Sequence, residues 1–260
     1  MFNIVVLLLF ILVTVLLGYF LRFLTISGSV AAAVVGIFTA LGLGLKGLLL
    51  LGLFFASSSL LSKFKKIHKK QVEDRHAKGS QRDWEQVVAN GGVASAMSMA
   101  YAFHPDSLWV IAFCIVIASS NSDTWASEIG ALSRNSPISI HTFKVVPKGT
   151  SGAMSLLGTN AAIVGSLVIA SFSMYLFQLS LLSSFIIFIS GFLGNIIDTI
   201  FGAYAQALYR CRECDTTTEK RTHCGLETQL LKGSHLLNND VVNFLSGLIA
   251  VIIGIILYKL

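Results

Sequence analysis

Asp123 and Glu128 stand in "SNSDTWASEIG", residues 120–130, directly after the apolar run "SLWVIAFCIVIAS". Ionisable groups are expensive inside a membrane helix, face its packed interior and mark functional sites. At about 100° per residue, Asn121, Thr124 and Glu128 share one stripe, and Ser120, Asp123 and Ser127 form the next. Asp123 and Glu128 are about 140° apart on that helix, too far round for symmetric capture of one ion. In "GNIIDTIFGAYAQ", Gly194, Asp198, Gly202 and Gln206 recur every fourth residue. Asn239, Asn243 and Gly247 repeat that spacing beside Asp240, and Gln86 and Asn90 do so upstream. Single polar residues of this kind serve as hydrogen-bond links between helices. Several carboxylates converging at one depth repel unless they share a proton or a cation. An oxygen-rich set of Asp123, Glu128, Asp198, Asn239 and Asp240 suits Mg2+, which takes one or two carboxylates and completes its shell with water and phosphate.

A second group follows in "KVVPKGTSGAMS". Gly149, Thr150, Ser151 and Gly152 form a hydroxyl-rich turn between glycines, with Thr150 or Ser151 expected to cap the next helix. Backbone N–H groups at such a turn can hold an anion, and Lys144 and Lys148 add positive charge. Carboxylates with a metal, followed by lysines and an N–H cradle, are the parts of a phosphate-handling site. Asn90, Asn121, Asn160 and Asn243 are candidates to orient phosphates or metal-bound water. A third group, "CRECDTTTEKRTHC", offers Cys211, Cys214, His223 and Cys224 as ligands for a structural Zn2+. Cys-x-x-Cys is a good half-site, while the adjacent His-Cys pair is a less usual second half.

These residues must be positioned by a helical membrane protein. The chain of 260 residues is 54% hydrophobic and 12% charged, about half the charged share of a soluble domain. Alternation of the β-barrel kind is missing, which leaves an all-α, polytopic transmembrane helical bundle. Candidate spans are 3–22, 28–45, 47–62, 85–103, 107–130, 152–177, 182–208 and 240–258, about eight in all, within one integral membrane domain, 1–260. The second and third, split by "GLGLKG", could form one hairpin or one broken helix. The first lacks a basic n-region and a small-residue cleavage site, so it is expected to be retained. The net charge of +6 concentrates in the loops 63–84, 131–151 and 209–239, whereas "HPDS" and "QLSL" on the alternate side are short. Basic loops lie in the cytoplasm. This places the polar residues and the Cys/His loop at the cytoplasmic face of a cell membrane and both termini outside. The basic loop 63–84 is better explained by orientation and anionic lipid than by nucleic acid. Oligomeric state is not legible.

The motifs "RDWEQVVANGG", "SNSDTWASEIGALS", "HTFKVVPKGTSGAMSLLGTNAA", "GNIIDTIFGAYAQ" and "LNNDVVNFLS" resemble the domain-of-unknown-function 92 integral membrane family, which includes the plant phytyl-phosphate kinase and an animal transmembrane branch. The resemblance runs from about Ser27 to Gly247. The Asp-Thr-x-Ala-x-Glu-x-Gly block with its later Lys and Gly-Thr-Ser-Gly is also distantly similar to motifs of dolichol kinase and CDP-diacylglycerol synthase, which use CTP and Mg2+. The resemblance implies an NTP-dependent isoprenyl-phosphate kinase, with CTP favoured, that makes an isoprenyl diphosphate from the monophosphate. Asp123, Glu128, Lys144 and Asp198 would act at the reacting centre. Lys148, residues 149–152 and the asparagines would hold phosphates, and membrane lipids would surround the isoprenyl tail. Two other classes fit part of the pattern: a transporter or flippase of an anionic lipid or small anion, and a CTP-dependent lipid-phosphate cytidylyltransferase. A transporter needs polar residues near mid-membrane and access from both sides. Here they crowd one side.

Overall fold

In the computed structural model, which describes residues 4–65 and 77–260, every residue from Val110 to Ser122 is buried. These residues belong to the fourth of seven helices: α1 (Ile4–Phe20), α2 (Ile26–Lys63), α3 (Trp84–Phe103), α4 (Ser107–Gly130), α5 (Leu156–Phe177), α6 (Leu181–Tyr204) and α7 (Asn239–Lys259). A helix that is apolar all round belongs in the middle of a bundle. α4 accordingly packs against α2, α3, α5, α6 and α7. Small residues allow the close approach: a Cβ at Gly191 of α6 would lie 2.5 Å from the Ala118 Cβ. Two polar side chains stitch α4 to α5, with Asn121 Nδ2 donating to Gly165 O at 2.8 Å and Ser122 Oγ to Ala162 O at 2.9 Å.

Among the described residues, five helices (α2, α4, α5, α6 and α7) are long and apolar enough to cross a membrane, by length and composition. The sequence led us to expect eight spans. α1 has only 17 residues, and α3, which carries Glu85, Gln86, Asn90 and several Gly and Ser, is too polar to qualify.

At about 1.5 Å per residue, α2 would be nearly twice the thickness of a bilayer core. It breaks at Gly44, whose φ of 59° and ψ of −146° are not helical. The chain then folds back. A Cβ at Gly47 would lie 2.9 Å from Thr39 Cγ2, eight residues upstream, which a continuous helix cannot achieve. α2 is therefore a helical hairpin, one of the two forms its sequence allowed. Ser98 of α3 secures the break. Its hydroxyl donates to Thr39 O at 2.9 Å and accepts from Leu43 N at 3.2 Å, bridging the donor and acceptor of one helical hydrogen bond. This requires contact with bare backbone: a Cβ at Gly42 would stand 1.8 Å from Ser98 O. Gly42→Ala is expected to destabilise the protein by about 1–3 kcal/mol, the usual cost of overpacking, seen as a lower melting temperature in detergent.

The short connections 104–106 and 178–180 meet the Gly44 break at one end of the bundle, where Leu7, Pro105 and Leu179 line a common cleft. α7 ends there too, with the Tyr258 hydroxyl 3.2 Å from Ser107 Oγ. The described ends of the 64–83 connection and the 131–155 and 205–238 connections gather at the other end. Half of the basic loop 63–84, including Lys66, Lys69, Lys70 and Arg75, lies outside the described residues. The 131–155 connection carries the β1 (Ile138–Ser139) and β2 (Ala153–Met154) pair. The 205–238 connection carries β3 (Leu208–Arg210), β4 (Thr217–Thr218), β5 (Thr222–His223), β6 (Leu226–Glu227) and β7 (Gln229–Lys232). β3 pairs with β4 and β7, and β5 pairs with β6, all antiparallel.

Candidate functional site

The long connections and the adjoining helix ends enclose a polar cavity of about 320 Å3. α4 places Asp123, Thr124, Ser127 and Glu128 on it; α6 adds Asn195 and Asp198, and Gln206 follows just beyond its end; α7 adds Asn239, Asp240 and Asn243; α3 adds Gln86 and Asn90. Lys148 and the 149–152 turn form another side.

The carboxylates do not act as one cluster. Asp123 Oδ1 accepts from Asn195 Nδ2 at 3.1 Å. Asp198 Oδ2 accepts from Ser246 Oγ at 3.2 Å and, with the amide turned to present its nitrogen, from Asn243 at 2.8 Å. Asp123 and Asp198 act on each other electrostatically. Glu128 faces elsewhere: its Oε1 accepts from Ser62 Oγ, and its charge reaches Arg82. The angular separation read from the helix is thus realised as two different sets of partners.

Asp240 takes a third direction. Its Oδ2 lies 2.6 Å from Lys78 Nζ, which also pairs with Asp83 at 2.8 Å and with Glu85. Burial opposes the charge on Lys78, but hydrogen bonds to Asp240, Asp83 and Glu85 outweigh it and raise its pKa. Asp240 was expected among Mg2+ ligands; here its carboxylate shares one ammonium with those of Asp83 and Glu85. Its neighbour Asn239 is exposed at the cavity rim.

The turn at 149–152 is built for close packing. Gly149 and Gly152 have φ of 79° and 75°, and a Cβ at Gly152 would sit 2.2 Å from Ala203 Cα at the end of α6. Among the described residues, no hydrogen-bond acceptor takes the backbone N–H groups of residues 149–152. Neither Thr150 nor Ser151 caps α5. Ser155 does, accepting from Gly158 N at 3.1 Å, because the β2 strand intervenes. Thr150 instead donates to Pro147 O, and Ser151 to Glu219 Oε1 at 2.6 Å.

Three expected residues do not reach the cavity. Lys144 is exposed in a turn closed by Ser139 N donating to Lys144 O at 2.9 Å. Asn160 is exposed on α5, and Asn121 is fully buried as the α4–α5 link. Residues outside the expected set also reach it, among them Lys78, Arg82, Asn195, Gln206 and Glu219. Gln206 had a signal in the four-residue repeat with Asp198, and Asn195 stands three residues before Asp198. Glu219 had none; it is carried in from the 205–238 connection, where it also accepts from Gln206 Nε2 at 2.9 Å.

Arg82 is held by its backbone, which donates to Phe23 O at 2.9 Å and accepts from Thr25 N at 3.0 Å. Its guanidinium lies 5.5 and 6.0 Å from the Phe54 and Phe55 ring centres. Burial pushes its pKa down to about 10, opposed by Glu128, so it stays charged at neutral pH. With Gln86 and Asn90, Arg82 also lines an apolar cleft of about 80 Å3 between α1, both arms of α2 and α3, whose walls include Phe10, Val35, Leu48 and Phe55. These three residues separate the polar cavity from the apolar cleft.

Cys211, Cys214, His223 and Cys224 do come together, each ligand atom within 4.8 Å of the others. The Thr216 hydroxyl, hydrogen-bonded at 3.3 Å, holds the Cys214 thiol down at about 6, while the neighbouring Cys214 sulfur pushes Cys224 up to about 11.

The profile of the family described as integral membrane protein DUF92 matches residues 9–251. Protein PGR of Arabidopsis thaliana is 32% identical over 259 residues, covering 89% of this chain and 88% of its own. The uncharacterized membrane protein MJ0933 of Methanocaldococcus jannaschii is 30% identical, covering 91% and 87%. Protein VTE6, chloroplastic, of Arabidopsis thaliana is 29% identical, covering 91% and 66%. No solved structure matches. With a profile match spanning nearly its whole length, this chain belongs to the DUF92 family of integral membrane proteins.

Proposed function

We propose that this protein is a membrane-embedded isoprenyl-phosphate kinase, transferring a phosphoryl group from a nucleoside triphosphate, with CTP favoured, to an isoprenyl monophosphate. The observation that carries this is the shared wall of Arg82, Gln86 and Asn90 between a polar cavity and an apolar cleft. A substrate with an anionic head and a hydrocarbon tail fits that junction. The tail would lie between α1, α2 and α3 and extend into the bilayer, with its phosphate on Arg82. The nucleotide phosphates would take Lys148 and the unpartnered N–H groups of 149–152, on the other side of the cavity.

The donor set fits Mg2+: carboxylate oxygens of Asp123 and Asp198, with amides of Asn195 and Asn243 beside them. When bound there, the ion would neutralise charge on the transferred group. Asn195 and Asn243 orient the two carboxylates, and Glu128 steadies Arg82. No strong base is required, because the acceptor phosphate is already an anion.

Two features support an enzyme over a transporter. The polar cavity lies at one end of the bundle, and the buried apolar run Ile111–Ala118 fills the centre beyond it. We place the cavity end, with its three long connections, in the cytoplasm, which puts both termini outside. The eight helical segments, counting the arms of α2 separately, would then all cross the membrane.

The test is purified protein in lipid nanodiscs with Mg2+, labelled CTP or ATP and a series of isoprenyl monophosphates. The expected products are an isoprenyl diphosphate and a nucleoside diphosphate. Release of inorganic diphosphate with a CMP-lipid would show a cytidylyltransferase instead. No product with any acceptor, together with uptake of an anionic lipid or small anion into proteoliposomes, would overturn the kinase assignment.

A further inference from the structure

The 205–238 connection buries few apolar side chains, Ala207 and Tyr209 among them, to hold its short strands. Two tight turns in it face each other. The first spans 211–216 and is closed by Cys211 N donating to Thr216 O at 3.0 Å, with Asp215 at φ 60°. It presents Cys211 and Cys214. The second joins β5 to β6, with Cys224 at φ 52° and Gly225 at φ 76°. It presents His223 and Cys224, so the adjacent pair reaches one point because the backbone reverses between them.

Their spacing can be compared with a metal tetrahedron. Zinc bonds of about 2.3 Å to sulfur and 2.0–2.1 Å to nitrogen give edges of about 3.8 Å for S···S and 3.5 Å for S···N. The Cys214 and Cys224 sulfurs lie 3.8 Å apart. The His223 Nδ1 lies 3.4 Å from Cys214 Sγ and 3.2 Å from Cys224 Sγ. Cys211 completes the four from a buried position. A disulfide would need about 2.05 Å, far below the separation present, and it would leave the histidine unexplained.

We infer that Cys211, Cys214, His223 Nδ1 and Cys224 form a closed structural Zn2+ site that folds the 205–238 connection and holds Glu219 against the cavity. Glu219 lies between the two ligand pairs, next to β4, and bonds Ser151 Oγ and Gln206 Nε2. Fixing both flanks fixes the segment that carries it. Four protein ligands leave no open position, so the ion is structural. Its binding would supply folding energy that the short strands lack.

The experiment needs no catalytic assay. Full-length protein, purified under reducing conditions, is analysed for metal by mass spectrometry, then stripped and refilled with Co2+. One zinc per chain is expected, and the Co2+ form should show strong tetrahedral ligand-field bands with thiolate charge-transfer absorption. A Cys214→Ser/Cys224→Ser variant should lose both, while Cys114→Ser, buried in α4, should keep both. Stripping the metal should also open the connection to trypsin at Arg212, Lys220 or Arg221. Protein that stays substoichiometric after refilling with Zn2+ would overturn the assignment, as would equal zinc in the double variant. If that variant cannot be purified, weak octahedral bands in the parent Co2+ form overturn it equally.

Discussion

Asp123→Asn is expected to lower phosphoryl transfer by about 10^2–10^3-fold, the usual scale for removing one preorganised electrostatic group from a reacting centre. The substitution keeps the shape and an acceptor for Asn195 Nδ2. It removes one of the two carboxylates, Asp123 and Asp198, that act on each other electrostatically. The Mg2+ concentration for half-maximal rate should rise with it, which initial rates across a Mg2+ titration would measure. Stability should move the other way. Two carboxylates in one cavity repel when no cation lies between them. The variant should therefore melt no lower than the parent in metal-free buffer, an activity loss without unfolding. Asp240→Asn is the contrast. Asp240 bonds Lys78, away from the partners of Asp123 and Asp198, so its loss should leave the Mg2+ dependence unchanged. Equal Mg2+ dependence in Asp123→Asn and parent would remove Asp123 from the metal role.

Much of this arrangement is legible in the sequence, because it depends on local periodicity. The polar face after the apolar run of α4, and the Gly194–Asp198–Gly202 row on α6, follow from helical spacing alone; Gln206, read as the next member of that row, lies past the end of the helix at Tyr204. The short "HPDS" and "QLSL" connections put all long loops at one end, and the structure has the described parts of them there. The count of spans was less legible. Hydropathy cannot separate a hairpin from a long helix at "GLGLKG", since the decisive contact is Ser98 reaching Leu43 and Thr39 from another helix.

The misplaced residues share one cause. Lys144 and Lys148 look equivalent in sequence, but the turn before Lys144 throws it outward, while Lys148 stays beside the cavity. Asn121 and Asp123 sit on the same polar helix end, yet one faces α5 and the other α6. Lys78 and Arg82 were hidden for a different reason. They stand in a basic run that membrane orientation already explains, so their charge carried no further signal. Only the backbone pairing of Arg82 with Phe23 and Thr25 sets it apart.

That pairing makes Arg82 the sharpest discriminator of the substrate. Arg82→Gln is expected to raise KM for the isoprenyl monophosphate by about 10–100-fold, since hydrogen bonds to a charged group contribute about 1.5–3 kcal/mol. KM for the nucleotide should stay within about twofold, because its phosphates are assigned to Lys148 and the 149–152 turn, across the cavity. Arg82→Lys should recover little. Lysine lacks the planar fork that matches phosphate and loses its proton more readily when buried, and burial already pulls Arg82 down to about 10. Its flat face also lies over Phe54 and Phe55, where an ammonium stacks less well. The measurement is steady-state kinetics with each substrate varied in turn, at saturating Mg2+. A rise confined to the nucleotide KM would move the lipid phosphate away from Arg82 and separate the apolar cleft from the reaction. A rise confined to the lipid KM would tie the cleft to the cavity, because only a substrate that spans both can feel Arg82 from the side of its tail.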